Sequence, residues 1–145
     1  KEHFNATPDR QQTYKEIEQL KLRGYNTLCP DYPQPKWFYD MCDAAGMFVI
    51  DCANINSPTN SNNRAIGGTP ANDPKLVDEY RRRVKAMYYR SRNHSCIVAF
   101  SLGGAQSGNG YNMYKAYEWL KSVEKRLPVF YDGAEGEWNT DNQNQ

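Results

Sequence analysis

Apolar residues along this chain alternate between a spacing of three to four positions and short uninterrupted runs, and that alternation predicts its elements. Tyr14, Ile17 and Leu20 share one helical face, Thr13 and Glu16 stand as a capping box, and Gly24 follows as a stop, so a helix is predicted over residues 14–23. The run 25–29, closed by Pro30, Pro33 and Pro35, predicts a buried strand ending in a loop. Trp37, Phe38, Met41, Cys42 and Ala45 then mark a second helix ended by Gly46, and residues 47–50 a second strand. Residues 52–72, rich in Asn, Ser, Thr, Pro and Gly and without a period, predict a long surface loop. Asp73 and Pro74 restart order as an N-cap and a first-turn proline, ahead of a stripe of Leu76, Tyr80, Val84 and Met87. Residues 96–100 form a third strand and 101–111 a Gly-rich loop. A fourth helix carries Met113, Tyr117, Leu120 and Val123, and residues 128–131 form the last strand. The polar end of the chain, from Glu135 on, is expected to fray.

Helices and strands in strict alternation predict an α/β fold with about four parallel strands joined by right-handed crossovers. Turns from helix to strand are short, around Gly24 and Gly46, whereas loops from strand to helix are long and polar. Ligand sites of parallel α/β folds lie at the carboxyl ends of strands, so the long loops are where a function would sit. A length of 145 residues suits one domain. We divide it into residues 1–133, which carry the pattern, and a polar tail, 134–145.

Charge narrows the partners. The 18 basic residues nearly cancel the 17 acidic ones, which predicts neither a nucleic-acid footprint nor attraction to a membrane surface. The basic run Arg81, Arg82, Arg83 and Lys85 is the solvated side of a helix. No apolar run approaches the roughly 20 residues of a membrane helix, and residues 1–10 are too polar for a signal peptide. A soluble chain is expected, its targeting segment absent or removed. Cys29, Cys42, Cys52 and Cys96 lack paired-ligand spacing and lie in or beside apolar stretches, so they read as buried free thiols. Cys29, Asp31, Asp51 and Cys52 together could suggest a soft metal site, but their spacing is unlike zinc patterns and no metal is expected. No phosphate-loop or dinucleotide motif occurs among the glycines of residues 103–110, and no cofactor is expected. Ser101 lacks the surroundings of a serine-hydrolase elbow, and His94, ahead of its strand, reads as a packing or capping residue. Asn5 and Asn93 head short glycan-acceptor patterns of the kind that arise by chance.

Several stretches, in order, resemble glycoside hydrolases of family 2, the β-galactosidase-like enzymes. The segment 37–43, W-F-Y-D-M-C-D, is similar to the family's Y-x-L-C-D helix. Residues 47–55, M-F-V-I-D-C-A-N-I, resemble its L-Y-V-I-D-E-A-N-I strand, and residues 90–95, R-S-R-N-H-S, its R-D-R-N-H-P. The ending S-L-G-N-E appears as Ser101-Leu102-Gly103-Gly104-Ala105, and R-P-V-x-Y-E-G as residues 126–133 with one extra position. The resemblance runs from about Tyr14 to Gly133 and implies roughly half of a (β/α)8 barrel.

That chemistry needs two carboxyl groups about 5 Å apart, one to protonate the glycosidic oxygen and one to attack the anomeric carbon. The resemblance puts the acid/base glutamate where Ala105 stands and the neighbouring asparagine where Gly104 stands, and it puts the nucleophile on a strand beyond Gln145. It also implies an arginine at Cys29, a histidine at Asp31 and a glutamate at Cys52. The positions it leaves for contact with a sugar are Asp31, Asp51, Asn54, Gly104 and Asn109. A catalytically inactive segment of a β-galactosidase-like hydrolase is therefore expected, and the sequence does not give its compartment. The rival readings are a carbohydrate-binding module using Trp37, Tyr111 or Trp138 as platforms, and a structural domain without a sugar site. Four strands also leave a sheet with two edges and one uncovered face, so the isolated segment is expected to form a homo-oligomer.

Overall fold

A computed structural model describes residues 1–57, 63–104 and 107–141. Five parallel strands lie in sequence order: β1 (Glu2–His3), β2 (Thr27–Cys29), β3 (Phe48–Cys52), β4 (Ile97–Ser101) and β5 (Val129–Phe130). Among the described residues, four α-helices connect them: α1 (Arg10–Leu22), α2 (Lys36–Ala45), α3 (Val77–Ser91) and α4 (Tyr111–Val123). The parallel α/β fold is as expected, and the sheet is open, with β1 and β5 at its edges. The strand added to the four expected ones is β1, whose two residues are too few to show a period of two.

The helices cover one face of the sheet. Ile17, Leu28, Phe38, Val49, Val84, Met87, Phe100, Leu120 and Val129, all inaccessible to solvent, join that layer to the strands. A register shift between β3 and β4 pairs Val49 with Ile97 but Ile50 with Ala99, so a bulge spares one residue of β4. Its result is that Cys52 and Ser101 end level with each other.

Two expectations about chain ends are corrected. Helix α1 is capped by Asp9, whose carboxylate accepts from the Gln11 and Gln12 N–H groups at 2.9 and 3.1 Å. Thr13 lies inside the helix, fully buried, donating to the Asp9 carbonyl at 2.9 Å and lying 3.1 Å from the Thr7 hydroxyl. Glu16 instead accepts from the Gln12 side chain at 2.7 Å. Residues 134–141 are held rather than frayed. The Asp141 carboxylate accepts from the Val129 N–H at 2.8 Å and from Lys121 at 2.7 Å, and Asn139 is fully buried.

Candidate functional site

The carboxyl ends of β2, β3, β4 and β5 surround a cavity of about 350 Å³, lined by Cys29, Ile50, Cys52, Ser101 and Phe130 and by the loop residues Asp31, Gly103, Gly104 and Asp132. Lys1 and His3 close its β1 side. Alternation along each strand sends Ile50 and Cys52 toward this space and Val49 and Asp51 toward the helices. The long strand-to-helix loops thus meet where the sequence placed function.

Asp31 stands at the rim. Its carboxylate accepts from the Asn5 amide at 3.0 Å and lies 3.4 Å from His3 Nδ1, and its backbone N–H donates back to Asn5 at 2.9 Å. The Cys52 thiol donates to the Asp31 carbonyl at 3.3 Å. Burial, reinforced by the Asp51 charge, pushes the Cys52 thiol up to about 12, and burial also raises that of Cys29, so neither thiol ionises readily. All four cysteines are free and buried, as expected.

Two glycines floor the cavity differently. A Cβ on Gly103 would come within 2.7 Å of the Ser107 hydroxyl and 3.2 Å of the Ile55 carbonyl, so only glycine fits. A Cβ on Gly104 would meet only the Asp31 carbonyl at 3.6 Å and the Ser107 hydroxyl at 3.9 Å, which is ordinary contact. The backbone there has room for the asparagine that the resemblance implies. Ala105 lies outside the described residues.

The other three candidate positions do not line this cavity. Asp51, fully buried, accepts from the Tyr39 phenol at 2.6 Å, from Arg90 at 3.1 Å and from the Ser91 hydroxyl. It fastens β3 to α2 and α3. Burial, the Asp51 charge and its hydrogen bond all raise the Tyr39 phenol well above its ordinary range. Asn109 pairs with Asn139 through amide hydrogen bonds of 3.3 and 2.8 Å and accepts from the Gly110 N–H at 3.0 Å. Asn54 is exposed, and its carbonyl accepts from Arg83 at 2.7 Å. Conversely, His3, Ser101 and Asp132 line the cavity without having been singled out as ligands. Asp132 lies in a matched motif, but His3 belongs to a strand too short to read.

Among the described residues, the metal-type side chains that come within chelating range are Asp40, Asp43 and His94, not the Cys29 set. They sit at the opposite end of the sheet, where His94 Nδ1 lies 2.7 Å from Asp43, whose other oxygen accepts the Cys96 N–H at 2.8 Å. Burial alone would raise the Asp43 pKa, but the hydrogen bonds from His94 and Cys96 together outweigh it and hold the carboxyl below its usual range. The group works as a clasp between α2 and the start of β4.

Residues 4–144 match the family described as glycosyl hydrolases family 2, TIM barrel domain. The chain is 36% identical over 126 residues to a β-galactosidase of Lactococcus lactis subsp. lactis, covering 83% of this chain and 12% of that one. It is 35% identical over 131 residues to a β-galactosidase of Pectobacterium atrosepticum, covering 87% and 12%. It therefore spans about an eighth of the length of these relatives. Among solved structures it is similar to a β-glucuronidase from an uncultured Clostridium species, with a TM-score of 0.72 at 19% identity, covering 90% of this chain and 24% of that one. A Faecalibacterium prausnitzii β-glucuronidase gives 0.64 at 22% identity, covering 90% and 23%.

Proposed function

Since the chain belongs to the TIM-barrel family of the family 2 glycosyl hydrolases, we propose that it forms the first strands of a β-galactosidase-like catalytic barrel and binds a sugar at the strand-end cavity without cleaving it. The observation that carries this reading is the lining of the cavity. The scaffold that aims side chains at a substrate is kept, while Cys29, Cys52 and Gly104 occupy positions for which the family resemblance implies an arginine, a glutamate and an asparagine. Thiols and a bare backbone can shape a pocket. They cannot protonate a leaving oxygen near neutral pH.

Loss of catalysis follows from residue content. Ala105, at the implied acid/base position, has no proton to transfer, and without a proton donor and a nucleophile the remaining positioning has no bond-breaking group to assist. The test is incubation of the 145-residue chain with nitrophenyl β-galactoside and β-glucuronide. No turnover is expected, and none after Ala105→Glu with Gly104→Asn, because one carboxyl group does not make the pair. Turnover that survives repurification and disappears on substitution of one cavity residue would overturn the reading. Self-association of the isolated chain belongs to the same proposal, through the sheet face that the helices leave uncovered.

A further inference from the structure

Beyond the tip of β5 lies a second cavity, of about 530 Å³, which shares Asp132 with the first and has Trp138 in its wall. Trp138 is 56% exposed, an unusual state for the largest apolar side chain. It is nonetheless fixed. Its ring stacks on Tyr114 with centroids 4.7 Å apart and planes 11° from parallel, and Tyr117 meets it edge-on at 5.8 Å. Neither tyrosine lines the cavity, whereas Trp138 does.

The polar part of the wall is sorted by what is already engaged. Asp141 is taken up by Lys121, Tyr117 and the Val129 N–H, and the Thr140 hydroxyl by the Tyr131 N–H at 2.9 Å. Glu137 is paired with Arg64. Asp132 and Glu135, both exposed, form no ion pair among the described residues and remain as acceptors. An immobilised, solvent-facing indole beside acceptor-only carboxylates suits a ring with an apolar C–H face and donor groups at its edge.

We propose that this cavity is a second saccharide subsite, continuous with the first at Asp132, in which the Trp138 indole stacks on a sugar ring whose hydroxyl or amino groups donate to Asp132 and Glu135. Two carboxylates without an ion pair of their own among the described residues favour neutral or amino sugars over uronic acids. The inference rests on the reading of the chain as a carbohydrate binder, and it extends that reading to a platform outside the strand-end cavity.

The experiment is a titration of the isotope-labelled 145-residue chain with lactose, glucosamine and glucuronate, followed by amide and indole NMR shifts. Signals of Gly103 and Gly104 report the first cavity, and the Trp138 indole and Thr140 report the second. Lactose and glucosamine are expected to shift the second set, with glucuronate about fivefold weaker. Trp138→Ala, its fold checked by the same spectra, should weaken that binding about tenfold. Shifts confined to Gly103 and Gly104, or affinity unchanged in Trp138→Ala, overturn this subsite and leave the proposed function standing. No shift at either cavity with any of the three sugars overturns both.

Discussion

Asp51 occupies a position where the sequence suggests a ligand and the packing makes a brace. Its neighbours on β3, Ile50 and Cys52, face the cavity, and the alternation of a strand turns Asp51 to the helices. There it is fully buried against Tyr39, Arg90 and Ser91. Removing one partner of such a network leaves the others desolvated and unpaired. Asp51→Ala is therefore expected to destabilise the chain by on the order of 3 kcal/mol, read from the urea midpoint, while sugar-induced shifts at Gly103 and Gly104 persist in the folded fraction. A midpoint equal to that of the unsubstituted chain would contradict the brace. Motif matching found Asp51 and Asn109 because both are polar and adjoin the strand-end loops. It could not tell a side chain aimed at solvent from one aimed at a helix, since that depends on strand parity and on partners dozens of residues away. Asp31 and Gly104 line the cavity because they follow their strands directly, and the cavity forms where strands end.

At the scale of elements, the strength of each local signal decides what could be read. Long apolar stripes such as Val84, Met87 and Met113, Leu120 place α3 and α4 within a few residues, because burial of a whole helical face dominates their energetics. Helix ends turn on single hydrogen bonds. Thr13 with Glu16 has the spacing of a capping box, yet Asp9 caps α1, four residues earlier, and Thr13 is drawn into the core by Thr7. Asp9→Ala should cost about 1 kcal/mol, measured by thermal or urea unfolding, whereas Glu16→Ala should cost a few tenths at most. The reverse order would restore the capping box. The clasp that joins α2 to β4 makes a second prediction. The folded Asp43 carboxyl titrates below its unfolded value of about 3.9. Its contribution is therefore fully present above that value and is lost as the pH falls through the lower folded value. Asp43→Asn should remove part of the acid-induced loss of stability below about pH 4. An acid limb identical in both proteins would assign the loss to Asp141 or Glu79, which are also held below their usual range.

For the whole molecule, the open sheet decides behaviour in solution. The half-barrel was legible because alternating helices and strands leave few topologies. The two-residue β1 was not, and its presence moves one edge of the sheet from β2 to β1. Both edge strands, β1 and β5, are two residues long, which blunts pairing between edges. The face is another matter. Phe48 is 43% exposed at the start of β3, and Ile50, on the cavity side of the same strand, is only partly covered. Burying a phenylalanine of this kind contributes on the order of 2 kcal/mol, a substantial fraction of a small domain's stability margin. Two copies of the isolated chain meeting face to face around a two-fold axis would bury both rings with one kind of contact. Light scattering across a wide range of concentration should then show a mass that rises toward the dimer, and Phe48→Ser should shift that rise to about tenfold higher concentration. A mass that stays at one chain throughout, with Phe48→Ser behaving identically, would mean that the exposed face is tolerated in water and that association plays no part in keeping the segment folded.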